Sequence, residues 1–223
     1  MKILSLNIRT WTRDKNKVNS HWWIERYYKI HDYIKEENPD VICLQEVLWP
    51  AKYILKLKEL GYKRTGWGFT HPVYVRKSKK VQKHRVSIFS TRVIVDEIQY
   101  FSVHCRWEEK LFQKAMKWIY KRVVENNNMK CIAAGDFNRS DISSITQAID
   151  MTSARQELEL ESQDTFTNYK RPEQSHGEID HFFVSGFWKT LYTIESYKVG
   201  PSDLSDHRPI VLTFKKKEDD RIN

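Results

Sequence analysis

The sequence predicts one α/β domain in which much of the sheet is antiparallel. Short apolar stretches typical of strands recur along the chain, and only three or four helical patterns alternate with them. One alternation reads strand, helix, strand, which is typical of a crossover between parallel strands. At 223 residues the chain can form one sizeable core and is short for two domains. We therefore expect one domain over residues 1–214 and a charged tail over 215–223.

The N-terminal part predicts two strands and two helices. Lys2–Arg9 alternates as a first strand, and a helix with an aromatic stripe follows it and ends at Asn38, because a residue before proline disfavours helical geometry. Asp40–Val47 is a second buried strand, and it ends in an acid. A further helix is expected over Pro50–Leu60, with Gly61 as its stop.

The middle of the chain predicts short strands and the crossover helix. The strands are expected at Val73–Val75, Val86–Phe89, Val93–Val95 and Ile98–Val103. The inner side of the helix is predicted by Leu111, Ala115, Trp118, Ile119 and Val123. The apolar run Cys131–Ala134 then suits a strand buried on both faces, and Gly135 lets the backbone leave the sheet.

The C-terminal part predicts a short helix and three more strands. The helix is expected over Asp141–Ile149, and the acidic segment Gln156–Asp164 that follows should be exposed. Strands are expected over Glu178–Val184 and Tyr192–Val199, and a last strand ends near Leu212.

The charge balance predicts a polyanionic partner. There are 38 Lys and Arg residues against 29 Asp and Glu, a formal charge of +9. Nucleic acid, phosphorylated metabolites and acidic membrane surfaces all fit this charge. The basic runs Arg76–Lys80 and Lys83–Arg85 have two interpretations, either solvated faces or a surface that follows a nucleic-acid backbone beside Trp67, Phe69 and Tyr74.

The three cysteines and the absence of long apolar runs bear on location. Cys43, Cys105 and Cys131 lie in apolar stretches without metal-type spacing, which indicates buried thiols and a reducing compartment. The first residues contain too short an apolar run for a signal peptide, and no stretch approaches the roughly 18 apolar residues of a spanning helix. We expect an intracellular, cytoplasmic monomer with no membrane span.

Polar side chains recur where predicted strands end. They are Asn7, Glu46, His104, Asp136, Asn138, Asp180, Asp206 and His207. Asp136 and Asn138, two residues apart at a strand end, can hold and activate a water, although a polar turn or helix cap is the simpler interpretation. Carboxylates and imidazoles brought together would destabilise one another, and a divalent cation with a phosphate would relieve that cost.

These stretches resemble the endonuclease/exonuclease/phosphatase superfamily. The resemblance is carried by Leu4-Ser5-Leu6-Asn7-Ile8-Arg9, Leu44-Gln45-Glu46-Val47, Ser102-Val103-His104, Gly135-Asp136-Phe137-Asn138, Ile179-Asp180-His181-Phe182 and Ser205-Asp206-His207-Arg208-Pro209. Each stretch alone is weak evidence, but six in the family's order are strong. The resemblance implies a four-layered sandwich of two mixed sheets flanked by helices, with the site at the rim that the sheets share.

The resemblance also implies roles for the polar residues. Glu46 corresponds to the principal ligand of Mg²⁺ or Mn²⁺, with Asn7 and Asp206 beside it. Asp136, aided by Asn138, would orient and deprotonate the attacking water. The remaining implied roles are charge stabilisation by His207, orientation of that ring by Asp180, and phosphate contact or leaving-group protonation by His104.

The resemblance implies a metal-dependent phosphodiesterase, and the basic charge favours nucleic acid, DNA or RNA, as its substrate. A phosphatase or phosphodiesterase of a small phosphorylated molecule is the alternative, and a non-catalytic binding module is a third reading. The interval between Glu46 and His104 is short for this family, which leaves specificity open. Arg9, His84 and Arg85 are candidate phosphate contacts, and His181 is interpreted as structural.

Overall fold

The computed structural model describes residues 1–10, 22–49, 51–65, 70–125, 130–167 and 177–218. Within them the chain forms 12 strands and six helices. The strands are β1 Lys2–Asn7, β2 Val41–Gln45, β3 Tyr62–Thr65, β4 Val73–Arg76, β5 Val81–Val86, β6 Ser90–Val95, β7 Ile98–His104, β8 Lys130–Asp136, β9 Met151–Ser153, β10 Asp180–Ser185, β11 Tyr192–Val199 and β12 Ile210–Lys216. The helices are α1 Trp22–Glu37, α2 Ala51–Ile54, α3 Glu109–Val124, α4 Ile142–Ile149, α5 Ala154–Glu157 and α6 Gly186–Leu191.

The strands form two six-stranded sheets. The first has the order β11-β12-β1-β2-β4-β3, and the second has the order β5-β6-β7-β8-β10-β9. Two pairs are parallel, β1 with β2 and β7 with β8, and each is joined through a helix, α1 or α3. The other pairs are antiparallel. The predicted crossover and the largely antiparallel α/β fold are therefore confirmed.

The sheets pack face to face, because strand side chains alternate between two apolar faces. In β1, Ile3 points into the core between the sheets, whereas Leu4 belongs to the cluster under α1. On the second sheet, Ile132 joins the same central core and Ala133 packs with residues of α3 and α4. Helices thus cover both outer faces, as the predicted four-layered sandwich requires.

One expected strand is wrong. Residues 86–89 form the end of β5 and a turn, whereas the strand itself lies earlier, at Val81–Val86. The reason is local: the Ser87 hydroxyl accepts hydrogen bonds from the backbone N–H groups of Phe89 and Ser90, 3.2 and 3.0 Å long. These bonds close the turn between β5 and β6.

The second predicted helix is much shorter than expected. Helix α2 covers Ala51–Ile54 and is followed by turns, because Lys56 adopts a left-handed conformation with φ of 46° that a helix cannot contain. Four short elements, β3, β9, α5 and α6, are not predicted by the sequence analysis. Strand β12 extends through Lys215 and Lys216, the first two residues of the predicted tail, which pair with β11. The division into one domain and a tail stays a prediction.

The three cysteines are buried thiols, as expected. Burial raises the pKa of Cys43 to about 12 and that of Cys131 to about 11, which makes both thiols unreactive at neutral pH. Among the helices of the described ranges, none combines the length and the apolar character required to cross a bilayer.

Candidate active site

The candidate site lies where the core between the sheets turns polar. In β1 the inner face runs from Ile3 through Ser5 to Asn7, because side chains two residues apart share a face. Strands β2, β7 and β8 show the same change near their ends. Apolar core and polar site are therefore successive layers of the same interface between the sheets.

Strand register aligns three of the predicted residues. Asp136 of β8 lies opposite His104 of parallel β7 and opposite Asp180 of antiparallel β10, so the three occupy one row across the second sheet. Gly135 remains inside β8 and does not end it, contrary to the expectation. It has a φ of +147°, and a Cβ there would lie 2.0 Å from the carbonyl oxygen of Val103. Glycine thus permits the close approach of β7 that aligns this row.

Glu46 reaches the site from the first sheet. It follows β2 in a left-handed conformation with φ of 58°, which costs a non-glycine residue of the order of 1 kcal/mol. The Thr10 backbone N–H donates to its Oε2 at 2.9 Å, and Nδ2 of Asn7 lies 3.4 Å from its Oε1. The surrounding structure therefore holds this carboxylate in place despite the strained backbone.

Asp136 is buried at the centre of the site, 1% exposed. Its Oδ2 accepts a hydrogen bond from Asn7 Nδ2 at 3.0 Å, and its Oδ1 accepts one from the Asn138 backbone N–H at 2.8 Å. Burial raises the pKa of Asp136 to about 7, although the nearby charge of His207 opposes this rise. The carboxylate is oriented from two sides, as a general base must be.

His207 and Asp180 form a buried pair. The Nδ1–H of His207 donates to Oδ2 of Asp180 at 2.9 Å, and its Nε2 lies 3.8 Å from Oδ2 of Asp136. Burial alone would lower the pKa of His207, but the charges of Asp180 and Asp136 outweigh it and raise the value to about 10. The Phe166 ring packs on the imidazole at 4.9 Å between centroids. A fixed, cationic imidazole therefore points its Nε2 toward Asp136.

Asp206 and Arg9 form an ion pair beside this group. Nη1 of Arg9 contacts Oδ2 of Asp206. The Ser205 hydroxyl donates to Oδ1 of Asp206 at 3.2 Å. The Arg9 backbone N–H donates to Asn7 Oδ1 at 2.9 Å. Arg9, a candidate phosphate contact, is thus buried against a candidate metal ligand.

His104 and Asn138 complete the set. Nε2 of His104 lies 3.6 Å from Oδ2 of Asp136 and 3.9 Å from Oε1 of Glu46. The side-chain amide of Asn138 donates to the Cys105 carbonyl at 2.9 Å, so it secures the loop after β8. The eight residues collected from strand ends therefore converge, while their individual roles stay predictions.

The other two candidate phosphate contacts, His84 and Arg85, lie on edge strand β5, and their role stays a prediction. Arg85 is exposed on edge strand β5, opposite Arg92 in register. The pKa of Arg92 is lowered by burial and then by the charge of Arg85, which shows that the two cations are close. The His84 side chain lies outside the described residues. His181 is expected to be structural, and its Nε2–H donates to the Arg139 carbonyl oxygen at 2.8 Å.

Several residues that support the site were missed in the sequence. Nε2 of Gln45 bridges Ser5 Oγ and Ser102 Oγ, each at 3.3 Å, directly beneath the site residues of β1 and β7. Thr165 Oγ1 accepts from the backbone N–H groups of Ile179 and Asp180, both at 3.0 Å. Ser5 and Ser102 each precede a site residue by two positions, so the strand period could have identified them.

His71 holds the β5–β6 turn near the site. This buried ring lies with Nε2 3.0 Å from the Ser87 carbonyl and Nδ1 3.2 Å from Thr70 Oγ1. Burial lowers its pKa from 6.5 to about 4. The ring is therefore neutral in the folded protein at physiological pH.

This shift predicts a loss of stability in mild acid. Above pH 6.5 His71 is neutral in both states and has no effect, but between pH 6.5 and pH 4 only the unfolded chain takes up its proton. At pH 5 the loss in unfolding free energy should be about 2 kcal/mol relative to pH 7. Urea unfolding of His71→Gln should show a weaker decline by that amount. Parallel pH curves for the variant and the wild type would contradict the prediction.

The donor set fits a hard divalent cation. Carboxylate and amide oxygens are the ligands that Mg²⁺ and Mn²⁺ prefer, and Glu46 and Asn7 supply them on one side of the site. On the other side, carboxylate oxygens of Asp136 and Asp180 lie within 4.8 Å of each other and of a ring nitrogen of His207, which as a cation offers no lone pair to a metal. Asp180 Oδ1 is buried and accepts no hydrogen bond from the described residues. The residues present therefore suit a bound cation.

Solved structures with the same fold are similar to this chain. No curated protein matches the chain in sequence. Among solved structures, a mannosyl-6-phosphatase from Bacteroides thetaiotaomicron is 17% identical over 96% of this chain and 99% of that chain, with a TM-score of 0.75. D. rerio TDP2, complexed with a single-strand DNA product, is 18% identical over 96% and 98%, at 0.73. The human Nocturnin catalytic domain is 18% identical over 97% and 93%, at 0.70.

At these identities the structural similarity establishes the fold, and the sequence match establishes the family. The model of the Endonuclease/Exonuclease/phosphatase family matches residues 25–207, most of the chain. This range includes Glu46, His104, Asp136, Asp180 and His207. The chain therefore belongs to the endonuclease/exonuclease/phosphatase family of metal-dependent phosphoester hydrolases.

Proposed function

We propose that the protein is a Mg²⁺- or Mn²⁺-dependent phosphodiesterase that hydrolyses nucleic acid. The observation that carries phosphoester hydrolysis is the convergence of Asp136, an oriented carboxylate, with the His207–Asp180 pair and with Glu46. Together these supply a base, a cation for developing negative charge and oxygen ligands for a metal.

Each residue has a chemical task in this proposal. Asp136, held by the Asn138 backbone N–H and by Asn7, accepts a proton from the water that attacks phosphorus in line. His207, oriented by Asp180, stabilises the charge that develops on the phosphoryl oxygens. His104 contacts the phosphate or protonates the leaving oxygen. A cation bound near Glu46, Asn7 and Asp206 would neutralise phosphate charge.

Two observations favour nucleic acid as the substrate. The chain has a formal charge of +9, which attracts a polyanion. Trp49 and Trp107 follow Glu46 and His104 closely in sequence and are 66% and 70% exposed. Exposed aromatic rings beside a phosphate site suit stacking of bases. One similar structure, D. rerio TDP2, is complexed with a single-strand DNA product.

A substrate panel tests the proposal. Purified protein is incubated with single- and double-stranded DNA and RNA, with Mg²⁺, with Mn²⁺ or with excess chelator, beside the Asp136→Asn variant. We expect cleavage of at least one nucleic acid that both the chelator and the substitution abolish. Absence of chelator-sensitive cleavage of all four would rule out this function.

A small phosphorylated molecule is the second candidate substrate, either a nucleotide, a cyclic nucleotide or an inositol phosphate. A cavity of about 150 Å³ adjoins Glu46 and His104, and Arg106 and Ile88 also line it. Its size suits the non-phosphate part of a small ester, and one similar structure is a mannosyl-6-phosphatase. Release of inorganic phosphate from a panel of such metabolites, faster than any cleavage of nucleic acid, would favour this candidate.

A further inference from the structure

A second, larger cavity lies away from the candidate active site. It has a volume of about 560 Å³. It lies between strands β3 and β4, at the edge of the first sheet, and residues 53–59, which comprise the end of α2 and the turns after it. None of the residues assigned to catalysis or metal binding lines it. We call it the edge pocket, and its volume is within the range of cavities that bind small ligands.

The edge pocket is strongly cationic. Among the described residues that line it, five are basic and one, Glu59, is acidic. The basic residues are Lys56, Lys58, Lys63, Arg64 and Lys77. All but Lys63 are exposed, so most of this charge faces solvent. A concave surface with one sign of charge concentrates ligands of the opposite sign, here anions.

The floor of the edge pocket is apolar and partly aromatic. Leu57, Tyr62 and Tyr74 form it and are buried in the cluster under α1. Tyr53 stands at the rim and is 60% exposed. An inorganic anion alone would make no favourable contact with such an apolar floor. The combination suits a ligand that carries both phosphate charge and a flat ring, as a nucleotide does.

Aromatic side chains also connect the edge pocket with the active site. The ring of Tyr53 packs edge to face against Trp49, with centroids 6.2 Å apart. Trp49 lies in the segment that leaves the site after Glu46. Two exposed rings thus lie along the chain between the candidate metal ligand and the cationic cavity.

We propose that the edge pocket binds a single-stranded segment of the nucleic-acid substrate, outside the scissile phosphodiester, with its bases against Trp49 and Tyr53. This inference rests on the proposed function and adds to it a preference for extended, unpaired strands. Single-stranded chains suit the pocket because their bases are free to stack on side chains. An acidic peptide would satisfy the cations but would leave the aromatic rings unused, and a bilayer would not enter a cavity.

The test compares two sets of substitutions that remove the same charge. Lys58→Gln, Arg64→Gln and Lys77→Gln are combined as the pocket variant, and Lys110→Gln, Lys114→Gln and Lys117→Gln on exposed positions of α3 form the matched control. Both are made in the Asp136→Asn background, so that the probe stays intact. The probe is a fluorescent 20-nucleotide oligothymidylate, and its affinity is measured by anisotropy at several salt concentrations.

We expect the pocket variant to bind the probe at least about tenfold more weakly, with a smaller dependence on salt, and the control to change affinity less than about twofold. Tyr53→Ala should also weaken binding, by about tenfold, whereas Tyr28→Ala, which removes an exposed tyrosine of α1, should not. Equal affinities of pocket variant and control would overturn the inference. Equal competition by polyglutamate, or by phosphatidylserine vesicles, would also overturn it.

Hydrolysis of a small diester separates this inference from the proposed function. With Asp136 intact, the pocket variant should hydrolyse bis(p-nitrophenyl) phosphate at the wild-type rate but should cleave the oligonucleotide with a raised KM. If the wild type binds the oligonucleotide through the edge pocket and cleaves no nucleic acid, the proposed function fails while the pocket stands. If it cleaves nucleic acid and the pocket variant matches the control, only the pocket inference fails.

Discussion

Asp136→Asn should lower the turnover of the preferred phosphoester by about three orders of magnitude. An amide cannot accept the proton of the attacking water, and general-base catalysis typically contributes 10²–10⁴-fold. The substitution keeps the size of the side chain, and the one remaining oxygen can accept from either Asn7 or the Asn138 backbone N–H. The rate is measured under saturating metal with whichever substrate the panel identifies.

The folded state should tolerate this change. Burial disfavours the Asp136 carboxylate, as its raised pKa indicates, and removal of that buried charge should offset the hydrogen bond that the amide loses, so the unfolding midpoint of the metal-free protein should change little. Asp203→Asn is the matched control, since Asp203 is an exposed aspartate whose ion pair with Lys29 lies on the surface. If Asp136→Asn retained more than about a tenth of the activity, Asp136 could not be the base.

Glu46→Gln should raise the concentration of Mg²⁺ or Mn²⁺ needed for half-maximal activity at least about tenfold, with a loss of about 100-fold in rate at low metal. The amide keeps the oxygen that accepts from the Thr10 backbone N–H but removes the negative charge that a hard cation prefers. High metal concentrations should restore part of the rate. Metal affinity is measured by titration calorimetry beside the kinetics.

The control for this variant is Glu159→Gln, which removes the same charge from an exposed loop position. It should behave as the wild type in both measurements. Unchanged metal dependence of Glu46→Gln would show that Glu46 is not a principal ligand. If wild-type activity survived complete removal of divalent ions, the proposed metal-dependent mechanism would be wrong.

The strands of the central core were largely predictable from local patterns. The strands Val41–Gln45 and Ile98–His104 are short and mostly apolar because both of their faces are buried. Such a run can be recognised in the sequence without knowledge of the residues that pack against it. The helix bounds at Asn38 and near Val124 also follow from local signals. The prediction failed where one backbone conformation decided the outcome, as at Lys56, which ends the helical segment early.

The edge pocket could not be found in the sequence. Its cations come from the segment after α2, from β3 and from the turn after β4, and β3 itself was missed because Tyr62–Thr65 is short and half polar. The basic run Arg76–Lys80 suggested a polyanion surface, but Trp67 and Phe69, named with it, lie outside the described residues. Only the pairing of β3 with β4 brings Arg64 beside Tyr74.

By itself, the amino-acid sequence determined most of the strands and the identity of the polar residues at their ends, because alternation and residue type are local properties. The four layers were implied only by the family resemblance. Tertiary structure decided which of those ends meet. Sheet order places β12 beside β1 and β10 beside β8, so that Asn7, Asp136, Asp180 and His207 converge from opposite ends of the chain. Strand pairing over such separations depends on the free energy of the whole core, which no local pattern contains.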